Sequence, residues 1–142
     1  MVLMGVDDFR PLGAHFYRIE GDVLFFRMKG VVSLADMIEI LRLTAEVKVA
    51  NGTVFTLYDS RENTGLEPAA RKYATDHGSE KTQVAASASF GAPFAMRVVV
   101  NMLNRANGLL HKTSIPTMLF NTEAEARAYL QAAREEVQAM AT

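Results

Sequence analysis

The run Thr53-Val54-Phe55-Thr56-Leu57-Tyr58-Asp59 constrains this chain more than any other stretch. It is β-prone throughout, starts after an Asn51-Gly52 break and ends ahead of Pro68. A continuous run of this kind is the pattern of a strand covered on both faces, which puts it near the middle of a sheet with helices to either side.

The flanking segments supply those helices. Ser33 is an N-cap for the segment 34–47, where Leu34, Met37, Ile38, Leu41 and Ala45 recur at helical spacing. Ile40, Leu43 and Val47 lie off that stripe, so this helix is apolar around more of its circumference than a one-sided surface helix needs. Pro68 suits the first turn of a short helix stopped near Gly78, and Pro93 opens a longer one ending at Asn107-Gly108. Within it Ala95, Val98, Val99, Met102, Leu103 and Ala106 form a stripe expected to be buried, with Arg97, Asn101, Asn104 and Arg105 on the other side. Thr122 and Glu125 make a capping box for a final helix over residues 123–140.

Strands fill the remaining places. Residues 14–30 hold two β-rich runs separated by Glu20-Gly21-Asp22, which predicts a hairpin. Residues 82–90 and 115–120 give two more strands. The order β-β-α-β-α-β-α-β-α predicts an α/β fold: a hairpin, then alternating strands and helices, with a mixed five-stranded sheet and about four helices. A chain of 142 residues with no linker-like tract fits one domain, here residues 14–142 after a lead-in over residues 1–13.

Composition removes several function classes. The net charge of −1 comes from 15 basic and 16 acidic side chains with no basic cluster, which gives no footprint for nucleic acid or anionic lipid. The absence of cysteine excludes disulfides, thiolate nucleophiles and cysteine-based zinc sites. The N-terminus lacks the pattern of a signal peptide, and no apolar run reaches the ~20 residues of a membrane span. Together these predict a cytoplasmic protein without an integral membrane segment. His15, His77 and His111 fall in separate elements without metal or triad spacing, and there is no phosphate-cradling glycine motif or nucleophile elbow. No enzyme, metal or cofactor is expected.

Several landmarks agree with a known family. They are Gly30 after the second strand, the strand end at Asp59, Thr64-Gly65-Leu66, and the strand followed by a capped helix in LFNTEAEARAYL, residues 119–130. From about Ala14 to about Val137 the chain resembles the STAS domain superfamily, within it the SpoIIAA-like, Sec14-related branch of stand-alone bacterial proteins. The resemblance implies a regulatory module that works by protein contact, with a regulatory kinase or anti-sigma factor as partner. In the phosphoswitching antagonists, the loop after the central strand carries Asp-Ser-Ser-Gly-Leu, and the second Ser accepts a phosphate. Here Glu62-Asn63-Thr64-Gly65-Leu66 would place Thr64 at that acceptor position, with Ser60 as another hydroxyl of the loop.

Two sets of candidate residues follow. Asp59, Ser60, Asn63, Thr64, Gly65 and Leu66 form a phosphoacceptor or partner-contact loop, although Thr64 with Glu67 also reads as a capping box and Asp59 as a simple turn residue. Ile40, Leu43, Phe90, Phe94, Leu109 and Leu110 are candidates for an apolar ligand pocket or a subunit interface, with core packing as the alternative. The second set carries two further functions, a carrier of a lipid or other apolar small molecule, as in Sec14-related proteins, and a homodimer.

Overall fold

The computed structural model describes residues 8–78, 81–110 and 115–141. In chain order the elements are β1 (Arg10–Leu12), β2 (His15–Glu20), β3 (Val23–Val32), α1 (Leu34–Asn51), β4 (Phe55–Leu66), α2 (Pro68–Asp76), β5 (Ala86–Phe90), α3 (Phe94–Leu110), β6 (Thr117–Phe120) and α4 (Glu123–Ala141). The strands form one mixed sheet in the order β1-β2-β3-β4-β5-β6. β1, β2 and β3 pair antiparallel, and β3 through β6 pair parallel.

The sheet has six strands rather than the expected five. The extra one, β1, lies in the stretch read as a lead-in and is only three residues long. Pro11 inside it removes a ladder donor, which a strand tolerates at a sheet edge, and so weak a β-signal is hidden in sequence. It turns back at Gly13, whose φ of +60° favours glycine.

The two faces of the sheet carry separate cores. On one face Leu24, Phe26, Met28 and Val54 pack against Met37, Ile40, Leu43 and Val47 of α1 and Ala70 of α2. On the other, Val23, Phe25, Phe55, Leu57, Ala86, Ala88 and Phe90 pack against Ala126 and Leu130 of α4. The central strand is therefore covered on both faces.

α1 starts as expected, with a full capping box. The Asp36 N–H donates to Ser33 Oγ at 3.1 Å, and the Ser33 N–H donates to Asp36 Oδ2 at 2.9 Å. The buried stripe, however, is not the expected one. Ile40, Leu43 and Val47 point into the core with Met37, whereas Leu34 and Ile38 are 37% and 40% exposed. This helix carries two overlapping apolar patterns, and the sheet beneath it selects one. Similarly, α3 continues through Asn107-Gly108 to Leu110, since a glycine inside a helix costs only about 1 kcal/mol.

His15 ties the hairpin to α1. It is fully buried, its Nδ1 accepts from the Lys29 N–H at 2.9 Å, and Nε2 therefore carries the proton and donates to Asp36 Oδ2 at 3.0 Å. Gly13 leaves room for that carboxylate, because a Cβ there would sit 2.4 Å from Asp36 Oδ1. Replacing His15 with Leu leaves the Lys29 N–H unpaired and removes one of the donors to the Asp36 carboxylate, which keeps the Ser33 N–H, so the variant should lose about 2 kcal/mol in urea unfolding. A loss near zero would show that the network contributes nothing to stability.

Candidate functional site

The segment after Asp59, expected as a loop, is the second half of β4. It pairs with β3 through Lys29↔Glu62, Gly30↔Asn63, Val31↔Gly65 and Val32↔Leu66. Two register shifts interrupt that ladder, between Arg27 and Lys29 and between Gly30 and Val31, and each time β4 carries one residue more than β3. These are β-bulges, which bend a strand and re-aim its side chains. Thr64 is the extra residue of the second bulge, so it has no partner in the ladder and is exposed.

The candidate residues of this segment have different environments. Asp59 is 4% exposed and receives Arg61 Nε at 2.9 Å and Arg61 Nη2 at 2.7 Å, with Arg27 Nε 3.8 Å away. Burial alone would push the Asp59 carboxyl up, but the Arg61 hydrogen bonds and charge, then the Arg27 charge, outweigh it and hold the group below the usual carboxylate range. Gly91 packs against the Arg61 stem, and a Cβ at Gly91 would meet Arg61 Cγ at 2.3 Å. Ser60 is 5% exposed and hydrogen-bonded to Ser89 Oγ at 2.8 Å, so in the folded chain it is out of a kinase's reach. The buried Asn63 accepts from the Gly65 N–H at 3.2 Å and shapes the bulge. Leu66 packs on the α1 core, and Gly65 lies beside Val31.

Thr64 is not a helix cap. The residue before α2 is Glu67, which makes no side-chain cap, and Pro68 holds the first position. Glu67 instead reaches across to α1, where Oε1 accepts from the Leu34 N–H at 3.1 Å.

The apolar candidates separate sharply. Ile40 and Leu43 are 2% and 4% exposed and belong to the core, not to a surface interface, because the sheet takes up that side of α1. Phe90 is 2% exposed under α4, whereas Phe94 is 73% exposed at the start of α3, so the two do not line a common pocket. Leu109 and Leu110 stand in solvent at the end of α3.

α3 follows the expected burial only in part: Val99, Leu103 and Ala106 are half-buried and Arg97, Asn101 and Arg105 are exposed as expected, but Ala95, Val98 and Met102 are exposed too. Only Met96 is fully buried, while Phe94, Val98, Met102 and Leu109 form an outward stripe. Spacings of four, four and seven residues hold these side chains on one face. Periodicity gives the width of an apolar stripe but not its direction, so Val98 and Met102, expected in the core, stand outside it. Arg97 and Arg105 flank the stripe, are exposed, and make no ion pair among the described residues. No acidic residue occurs in α3.

His77 stacks on Tyr73 with ring centroids 3.9 Å apart, while His111 lies outside the described residues. Among the described residues no group of three metal-ligating side chains is assembled, and no helix is long and apolar enough to cross a membrane.

Residues 17–134 match the family described as Domain of unknown function (DUF7793). The chain belongs to that family. None of the curated proteins matches it. Among solved structures, it is similar to the anti-sigma factor antagonist SpoIIAA in its unphosphorylated form, with 10% identity and a TM-score of 0.55 over 83% of this chain and 98% of that one. It is also similar to an uncharacterised Shewanella loihica PV-4 protein of the DUF3478 family with a SpoIIAA-like fold, at 22% identity and a TM-score of 0.53, covering 82% of this chain and 92% of that one. The fold is SpoIIAA-like, as the STAS resemblance implies.

Two carboxylates give this fold a defined acid response. Burial would raise Glu20, but hydrogen bonds from Arg127 and Arg18 hold it below its usual value, as Arg61 does for Asp59. Both groups ionise more readily folded than unfolded, so their stabilisation is complete above the ordinary carboxylate pKa and is lost as pH falls through the lower folded values. Melting temperature followed downward from about pH 6 should drop below about pH 4 in the wild type, and less steeply in Glu20→Gln. Parallel curves would remove Glu20 from that response.

Proposed function

We propose that this chain is a non-catalytic regulatory module that acts by protein contact, and that the outward face of α3 is the contact surface. The observation that carries the reading is the stripe of Phe94, Val98, Met102 and Leu109, which are 73%, 42%, 52% and 80% exposed on a helix that is otherwise seated on the sheet. Contiguous apolar surface of this kind marks an interaction site more often than scattered exposure does. The fold shared with an anti-sigma factor antagonist supports the same class of function.

Charge defines the partner further. Arg97 and Arg105 beside the stripe call for carboxylates on the opposing surface, since electrostatic complementarity governs encounter and register. Two copies packed α3 against α3 across a twofold axis would bring four guanidinium groups together with no carboxylate on either helix. The fit is therefore to a different protein, with an apolar patch rimmed by Asp or Glu.

A photo-cross-linking residue at position 98, used in the source cell, should capture a partner through such a surface. Arg97→Glu with Arg105→Glu should abolish the capture while changing stability by no more than about 0.5 kcal/mol, the usual effect of surface substitutions. Capture of only a second copy, or capture unchanged by the charge reversals, would contradict the assignment. Thr64 is the exposed hydroxyl of the β4 segment and the one we assign to any phosphate placed there. A phosphorylated species in intact mass should vanish in Thr64→Ala and persist in Ser60→Ala, and the reverse would exclude Thr64.

A further inference from the structure

Between α1, α3 and the sheet lies a cavity of about 370 Å³, within the roughly 300–1,000 Å³ range of small-molecule sites. Its helix walls are mainly apolar, with Met37, Ile40 and Leu41 from α1 and Leu103 from α3 beside the polar Thr44 and Asn107. The sheet beneath them is not. Thr56, Ser87 and Thr117 occupy one register row across β4, β5 and β6, and all three line the cavity. Thr56 Oγ1 donates to Ser87 Oγ at 2.7 Å, and Ser87 Oγ and Thr117 Oγ1 are hydrogen-bonded at 3.0 Å. Three hydroxyls bring three protons, and these two bonds use two of them. Thr56 also interacts with the Tyr58 hydroxyl, so four hydroxyls share three bonds and one O–H donor is left over among them.

Asn107, which lines the cavity, has its Oδ1 buried without a hydrogen-bond partner among the described residues. One turn earlier, Asn104 clasps the Thr117 backbone, donating from Nδ2 to its carbonyl at 3.0 Å and accepting its N–H on Oδ1 at 2.9 Å. Residues three apart on a helix lie on one side of it, so Asn107 is held near the Thr117 end of the row. A buried amide oxygen without a partner carries its full desolvation penalty, and in a native structure it calls for an explanation. Tyr58 lines the cavity too, its hydroxyl kept protonated by burial that pushes its pKa up to about 12.

We propose that this cavity binds a small neutral molecule with an apolar body and a head that both donates and accepts a hydrogen bond, an amide or an alcohol. The head donates to Asn107 Oδ1 and accepts from the spare hydroxyl among Thr56, Tyr58, Ser87 and Thr117, while the body lies against Met37, Ile40 and Leu103. Among the described residues no charged side chain lines the cavity, so an ionic head would lose its hydration without a counter-charge from them. A pure hydrocarbon would leave both the amide oxygen and the hydroxyl unpaired, the situation in which polar sites discriminate most strongly. This assignment is independent of the contact face, because Leu103 and Asn107 point inward and Val98 and Met102 outward.

The probes are benzamide, benzoate and toluene, matched in shape, titrated into the ¹⁵N-labelled full chain. Benzamide should shift the Ser87 and Thr117 backbone signals and the Asn107 side-chain signal saturably, with an affinity at least about tenfold above that for benzoate and toluene, the loss expected when a hydrogen-bonding head is wrong. Asn107→Leu should bring benzamide and toluene to within about twofold of each other, and Ser87→Ala should move the preference in the same direction. Val98→Asp should leave benzamide affinity unchanged, which separates this site from the contact surface. No saturable shift with any probe, equal affinities in the wild type, or a preference that survives in both cavity variants would overturn the proposal.

Discussion

The parallel pairing of β4 along both edges is the constraint on which the rest of the structure depends. From Phe55 to Asp59 it is hydrogen-bonded to β3 on one side and β5 on the other. Each parallel step requires a crossover, and these crossovers lay α1, α2 and α3 in succession along the sheet, leaving the opposite face to α4. The α4 face is apolar over β3, β4 and β5, through Val23, Phe25, Phe55, Leu57, Ala86, Ala88 and Phe90. The other face is apolar over β3 but turns to hydroxyls over β4, β5 and β6, with Thr56, Ser60, Ser87, Ser89 and Thr117 in sequence across it. That change of chemistry is why α1 is firmly seated through Ile40, Leu43 and Val47, while α3 buries Met96 alone and keeps a cavity beneath it.

Salt links hold the remaining parts to this frame. Arg127 and Arg134 of α4 reach Glu20 and Asp22 around the β2–β3 turn, and His15 joins the same hairpin to α1 through Asp36. Asp59 is neutralised within its own strand by Arg61, whose stem rests on Gly91. The Asp59 end of β4 is thus taken up by internal ion pairing, and α3 carries an outer apolar face and, at Asn107, a buried acceptor without a partner among the described residues.

The order of elements was legible in the sequence because caps and breaks are local. Ser33, Gly52, Pro68 and the Thr122–Glu125 box act where they stand. Direction was not legible. α1 and α3 each carry apolar residues over a wide arc, and only the neighbouring strands decide which residues turn inward: Ile40 and Leu43 went to the core, and Val98 and Met102 to the surface. The extent of β4 was hidden for a related reason, since Arg61-Glu62-Asn63-Thr64-Gly65 has the composition of a loop and is held extended only by its ladder to β3. Thr64, read from sequence either as a phosphoacceptor or as a cap, stands exposed on a bulge ahead of α2 and does not cap the helix. The cavity left a fainter trace, in hydroxyls at Thr56, Ser87 and Thr117 whose register appears only once the strands are paired.

The central claim is that α3 presents an apolar face held in reserve for another protein. Methyl signals of Val98 and Met102, followed with a soluble paramagnetic agent, report that face directly. They should be strongly attenuated in the isolated chain and protected when the labelled chain is returned to lysate of its source cell. Protection already complete in the isolated chain, or attenuation identical in buffer and lysate, would contradict the account.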